Sequence, residues 1–241
     1  MSKPFIKWAG GKYALANTLK EYLPSDFSNL RYFEPMVGGG GMFFNLQPHP
    51  AYLSDINSRL ILTYKSIKGN VESIISHLEI HEENHDSNED YYYEKRLEFN
   101  RAGNESFERY ILEGCPWTEE ELAAEEALLQ GAPLTTEELA AEEALLQGAP
   151  VGEPVLDNKE LAALFIYLNK ACFNGLYREN SKGEFNVPKG RTSSGKVTIC
   201  DKDNLRNCSD IFQNVEFGCH SYEDILPKLS SDSFIYLDPP Y

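Results

Sequence analysis

The chain of 241 residues contains no stretch of about 18 consecutive apolar residues, the length a helix needs to cross a bilayer. Its N-terminus, Met1-Ser2-Lys3-Pro4, has no apolar signal core. These absences predict a soluble, cytoplasmic protein with no membrane partner. The five cysteines (Cys115, Cys172, Cys200, Cys208 and Cys219) are odd in number and irregularly spaced, and no C-x-x-C pair occurs. That argues against both a zinc site and a disulfide framework, so no metal is expected and the cysteines read as reduced packing residues. The G-x-x-x-x-G-K-[ST] signature is also missing, which leaves P-loop kinase or ATPase chemistry unsupported. Positive charge is scarce: 22 Lys and Arg face 38 Asp and Glu, for a net charge of −16. Taken as a whole, such a chain should repel nucleic acid.

The charge is unevenly spread. Residues 114–157 hold eleven acids and no Lys or Arg, which leaves −5 for everything else. The window 168–206 holds eight basic residues against four acidic ones. A basic segment in an acidic chain is a pattern for phosphate contact, although chance clustering on a solvated surface gives the same count. The acidic stretch includes a repeat of period 17, in which residues 120–133 recur unchanged at 137–150. Each unit reads as a short helix. Thr118 and Thr135 begin T-x-x-E capping boxes with Glu121 and Glu138. Gly131 and Gly148 suit the C-terminal cap, and a proline follows each two residues later. The repeats carry no catalytic chemistry and read as a surface insertion or a site for a partner protein.

Elsewhere strands alternate with helices. Residues 31–35 read as a strand entering a glycine turn, 42–46 as a helix start, and 51–55 as a strand ending in Asp55. Residues 57–68 read as an amphipathic helix with Leu60, Tyr64 and Ile67 on one side, and helical patterns continue to about residue 112. Residues 215–218 and 233–237 read as strands around a helix at 222–229. This alternation predicts a parallel α/β sheet, with the region from about 57 to 210 inserted within it.

Four segments carry candidate chemistry. Gly38-Gly39-Gly40-Gly41, between a strand and a helix, lets backbone approach a ligand closely. Asp55, about 20 residues on, stands where nucleotide-binding sheets hold a ribose. Trp8, beside Gly10-Gly11 and Lys12, can either cover a ligand or pack an ordered arm. Asp238-Pro239-Pro240-Tyr241 can receive an exocyclic amine: Asp238 accepts one hydrogen bond, the prolines leave carbonyls free to accept another, and Tyr241 offers a stacking face.

Together these segments resemble the DNA adenine-N6 methyltransferases of the Dam family. The resemblance runs in order through P-F-I-K-W-A-G-G-K at 4–12, F-E-P-M-V-G-G-G-G at 33–41 and S-D-I-N at 54–57. It continues through F-N-G-L-Y-R-x-N-x-K-G-E-F-N-V-P-x-G-R at 173–191, H-S-Y at 220–222 and D-P-P-Y at 238–241. It implies S-adenosylmethionine as cofactor, double-stranded DNA as partner, and a Rossmann-like methyltransferase sheet with an inserted helical recognition module bearing a β-hairpin. It further implies that Trp8, Lys12, Glu34, Gly38, Gly40, Asp55 and Asp238 bind the cofactor, and that Asp238, Pro239 and Tyr241 serve catalysis. Asn174, Leu176, Arg178, Asn180 and Arg191 would approach DNA. Thr192 stands where GATC-reading members have an aromatic residue, so contacts of that ring are not expected.

The domain organisation expected is a catalytic core at 1–56 and 211–241, a recognition module at 57–113 and 151–210, and the acidic repeats at 114–150. The function expected is methyl transfer to a flipped-out adenine, with GATC as the leading site. Family members continue beyond D-P-P-Y, so the chain is expected to be a fragment, or half of a split enzyme with a complementary C-terminal part. A catalytically inactive cofactor- or DNA-binding module, and a D/N-P-P-Y enzyme acting on cytosine N4 or protein glutamine, stay open as alternatives.

Overall fold

A computed structural model describes residues 2–85, 88, 90–112, 156–190 and 197–239, with side chains from 103 to 112 left aside. The repeats, Arg191, Thr192 and Tyr241 lie outside the described residues. Four strands, β1 (Arg31–Pro35), β2 (Ala51–Asp55), β3 (Val215–Cys219) and β4 (Ser233–Ile235), form one parallel sheet in the order β3-β2-β1-β4. The order reverses at β1: β2 lies on one side of it and β4 on the other. The chain ends of β1 and β4 thus form a topological switch point, where open α/β sheets hold ligands. This bears out the expected α/β class.

Side chains alternate across the sheet, as the period of two requires. Tyr32, Ala51, Leu53 and Val215 face the main core, whereas Phe33 and Tyr52 face a smaller cluster closed by Ile225 and Leu229. Helices α1 (Ala16–Leu19) and α2 (Gly41–Leu46) are short; α3 (Ser58–His85), α4 (Tyr91–Leu112), α5 (Asn158–Ala171) and α6 (Lys202–Phe212) are the long ones. Helix α5 is buried from Leu161 to Asn169 and packs against both α3 and α4. It begins with a capping box, in which Asp157 accepts from the amides of Lys159 and Glu160 while Glu160 accepts from the amide of Asp157. Helix α6 buries Leu205, Cys208 and Phe212 at helical spacing and is capped by Asp201. Phe212 meets the rings of Phe5, Phe43, Phe44, Tyr64 and Phe217, which ties the N-terminal arm to the helical face of the sheet.

Three elements differ from their sequence expectation. The helix expected to end at Lys68 continues to His85 across a break at Asn70 (φ −143°, ψ 35°). Beside that break Ser209 and Gln213 of the α6 region donate to the carbonyl of Lys68. Residues Tyr222–Lys228 form a 3₁₀ helix rather than an α-helix, with Pro227 inside it denying an amide to the ladder. The last strand stops at Ile235, although Tyr236 still donates to Phe33. Cys172, Cys200, Cys208 and Cys219 are buried free thiols, as the spacing predicts. No described helix is long and apolar enough to cross a membrane.

Replacing Phe212 with alanine removes the ring at the centre of this aromatic cluster. The expected loss is about 3–5 kcal/mol of unfolding free energy, read as a lower urea midpoint at unchanged slope.

Candidate active site

The site grows from the end of β1. After Pro35 the chain turns through Met36 (φ 66°), Gly38 (φ 47°) and Gly40 (φ 66°) before entering α2. Two of these glycines are required by both conformation and space. A Cβ on Gly38 would stand 2.6 Å from Cδ1 of Trp8, and one on Gly40 would stand 2.9 Å from the hydroxyl of Tyr64. The turn is tied down by Val37 N–H donating to Ser54 (2.9 Å), Gly40 N–H donating to Val37 (2.7 Å) and the Tyr64 hydroxyl donating to Gly38 (3.0 Å).

Three carboxylates converge near the ends of adjacent strands. Glu34, fully buried in β1, accepts from the Tyr32 hydroxyl (2.7 Å) and the Phe43 amide (3.1 Å). Burial outweighs these bonds and lifts its pKa to about 8, with Asp238 adding repulsion. Asp55, at the end of β2, accepts from Gly38 N–H and Asn57 N–H, both at 2.9 Å. Its pKa is raised by burial, against the pull of the amides of Asn57, Gly38 and Ile56. Asp238 follows β4, and Lys12 reaches both of its oxygens at 2.7 and 2.9 Å while also donating to Gly10 at 2.8 Å. A carboxylate has about four acceptor positions, so Lys12 leaves Asp238 able to accept more. Pro239 is exposed beside it.

Lys12 belongs to an N-terminal arm held by a residue that sequence reasoning missed. Asn169 of α5 accepts from the amide of Lys7 and donates to its carbonyl, each at 2.8 Å, and also donates to Gly175 at 3.2 Å. The arm thereby carries Trp8 against Gly38 and Gly39 on one side. On the other side Trp8 stacks on Tyr177 (centroids 5.3 Å apart) and Phe165 (6.4 Å). The signal available in the sequence was an asparagine closing an otherwise apolar helix, since a buried amide demands partners.

The basic segment leaves α5 through a 3₁₀ turn at Phe173–Gly175, with Asn174 left-handed (φ 56°) and exposed. Residues 177–187 then run out and back, through single bridges at Glu179–Phe185 and, further down, Cys172–Lys189. Leu176 is exposed, and Arg178 donates from Nε to Asn186 at 2.7 Å. Asn180 organises the reversal: its carbonyl oxygen accepts from Lys182 and Glu184, and its amide donates to the Glu184 carboxylate. The structure thus gathers Trp8, Glu34, Gly38, Gly40 and Asp55 around one turn and pairs Lys12 with Asp238. It strings Asn174, Leu176, Arg178 and Asn180 along one segment reached through Trp8 and Tyr177. Among the described residues no group of three His, Cys, Asp or Glu side chains could hold a metal ion.

A family model described as D12 class N6 adenine-specific DNA methyltransferase matches residues 8–116 and 150–241. The chain belongs to that family. The matched ranges include the arm, the glycine turn, Asp55, the basic segment and Asp238. Type II methyltransferase M.MjaIII of Methanocaldococcus jannaschii is 33% identical, over 99% of this chain and 69% of its own length. Type II methyltransferase M1.LlaDCHI of Lactococcus lactis subsp. cremoris is 28% identical, over 99% of this chain and 66% of its own. The DNA adenine methylase of Haemophilus influenzae is 32% identical, over 99% and 64%. The chain therefore spans about two thirds of the length of these family members.

Glu34 offers a pH test of the site's burial. Its folded pKa lies above its unfolded value of 4.5, so the folded state holds the proton more tightly. That contribution is present below about pH 4.5 and is lost as pH rises towards about 8. Glu34→Gln keeps an acceptor for Tyr32 and Phe43 without titrating. From pH 5 to pH 8 the wild type is expected to lose stability against this variant by on the order of a few kcal/mol, measured by urea unfolding at each pH.

Proposed function

We propose that this chain carries the cofactor site and the catalytic carboxylate of a site-specific DNA adenine-N6 methyltransferase that acts on double-stranded DNA in the cytoplasm. The observation that carries the reading is Asp238, held by Lys12 at the switch point of the sheet beside the glycine turn. Family membership supports the substrate class and S-adenosylmethionine as methyl donor. The residues present suit that cofactor. At Gly38 and Gly40 the place a Cβ would take is filled by Trp8 and by Tyr64 and Phe44, so the bare backbone of the turn, with the flat ring of Trp8 packed on it, is what a ligand would meet. A cationic molecule rich in hydroxyls fits an acid-lined crevice, with Asp55 suited to the ribose, and Glu34 and the glycine turn to the methionine end.

S-adenosylmethionine, when bound, supplies a methyl group already activated by its sulfonium centre. The protein's part is then position more than strong base catalysis. A target adenine must leave the helix stack to reach Asp238, and Tyr241 would receive it by stacking. Asp238 and the Pro239 carbonyl would accept the two N6 hydrogens, which draws the nitrogen lone pair out of the ring and aims it at the methyl carbon. Lys12 fixes the rotation of the Asp238 carboxylate for that purpose. Arg178, with Asn174, Leu176 and Asn180 on the same segment and Arg191 beyond it, would meet the duplex through base edges or phosphates. GATC is the site we assign first, from the likeness of residues 167–178 to its readers.

The experiment is methyl transfer from labelled S-adenosylmethionine to duplexes containing or lacking adenine, with this chain and with one extended past Tyr241. Label is expected in adenine, and Asp238→Ala is expected to lower the rate by about 10²–10³-fold. Label in cytosine instead, or near-normal turnover by Asp238→Ala, would sink the reading. Cofactor and duplex binding without turnover in either form would favour an inactive binding module.

A further inference from the structure

The out-and-back segment after α5 is anchored unequally on its two sides. The returning side is bound through its backbone to α4. Asn100 accepts from Phe185 N–H (2.8 Å) and donates to its carbonyl (3.0 Å), while Tyr92 (2.7 Å) and Arg96 (3.3 Å) both donate to the carbonyl of Val187. The outgoing side, which carries Leu176, Arg178 and Asn180, is tied by its backbone to the returning side alone, through Asn186 N–H donating to Arg178 (3.1 Å) and Asn180 N–H donating to Glu184 (2.9 Å), and is anchored to the rest of the fold by side chains. Its residues alternate: Tyr177 packs inward on Trp8, Phe165 and Phe185, Arg178 turns aside to Asn186, and Glu179 turns in again.

Glu179 meets Arg59. The guanidinium donates to the Glu179 carboxylate at 3.3 Å and to the carbonyl of Gly183 at 3.4 Å, and lies over the ring of Phe99 at 4.7 Å. The Tyr177 hydroxyl donates to the same carboxylate. Arg59 is nearly buried, its side chain 9% exposed, so its charge is ill served by water and needs this partner. It also stands in the first turn of α3, four residues after Asp55. The same turn contains Asn57, whose amide donates to Asp55 and whose side chain accepts from Leu60. One short stretch, 55–59, thus orders the carboxylate expected at the cofactor and grips the outgoing segment.

We propose that Arg59, acting through Glu179 and Tyr177, is the positioning residue that sets the rotation of segment 177–180, and with it the aim of Arg178 at DNA. This rests on the reading of residues 173–190 as the DNA-facing segment. Because the segment alternates, loosening Glu179 lets it turn about its two backbone bonds to the returning side, and Arg178 moves with it. Neither Arg59 nor Glu179 is placed at the cofactor or at the methyl-accepting amine. The pair therefore affects DNA binding and selectivity and leaves cofactor binding intact.

The test compares the full chain with Glu179→Gln, Arg59→Met and Arg59→Lys by three readouts. These are hydrogen exchange of peptides covering 173–190, affinity for a short adenine-containing duplex, and affinity for S-adenosylmethionine. Glu179→Gln is expected to speed exchange at 177–180 while 184–188, held by α4, stays protected. Duplex affinity is expected to fall about tenfold, the scale of a lost base-edge contact, with cofactor affinity within twofold of wild type. Arg59→Lys, which keeps charge but not the planar contact with Phe99, should recover part of what Arg59→Met loses. Unchanged exchange at 177–180, or an equal loss of cofactor and duplex affinity, overturns the proposal. If the wild type binds the cofactor but no duplex, the DNA reading fails, while hydrogen exchange still decides whether the pair positions the segment.

Discussion

The side-chain amide of Asn169 is the contact on which the arrangement of the site depends. It sits at the end of an apolar helix, almost wholly buried, where an unmet donor or acceptor is costly. It is satisfied by backbone: it takes both the amide and the carbonyl of Lys7, as a neighbouring strand would, and donates to the carbonyl of Gly175 as well. The consequences are geometric. With Lys7 fixed, Trp8 must lie against the glycine turn, and Lys12 comes within reach of Asp238 from the far end of the chain. A packing requirement inside the helical module thus places a cation at the carboxyl end of the sheet.

The second constraint is electrostatic. Glu34, Asp55 and Asp238 share one region, yet only Asp238 has a close cationic partner among the described residues. Burial leaves Glu34 holding a proton near neutrality, and Asp55 is met by backbone amides instead of by a basic side chain. Three carboxylates can coexist because each is handled differently: one is protonated, one is bound by amides and one is paired. That division also leaves room for a ligand's own positive charge.

Much of this was legible in the sequence. The alternation of strands and helices, the glycine turn and the acid after it imply a parallel sheet with a site at its carboxyl end, because those features act locally or at a fixed spacing. The tie of Lys12 to Asp238 was visible only as two residues assigned to one cofactor. What was hidden is long-range pairing: Arg59 and Glu179 are 120 residues apart, and Lys7 and Asn169 are 162 apart. No local pattern encodes such partners. Helical pattern past Lys68 was legible, but its joining to residues 58–68 as one helix across Asn70 was not, since the contacts beside that break come from Ser209 and Gln213. Pro227 was a local signal for the 3₁₀ turn that the apolar spacing around it outweighed.

The strand order has a consequence for how the protein is made. β2 pairs with β3 through residues 51–55 and 215–219, and β1 pairs with β4 through 31–33 and 233–235. On the ribosome the first two strands emerge early and must wait for some 160 to 200 further residues before their outer neighbours exist (β2 ends at 55 and β3 begins at 215; β1 ends at 35 and β4 begins at 233). Closing loops of that length is slow and entropically unrewarded until β3 and β4 arrive. The helices of the middle module, whose contacts between α3 and α4 are near in sequence, can collapse during that wait. The crevice between β1 and β4 can therefore take shape only after the helices that lie between them in sequence have been made.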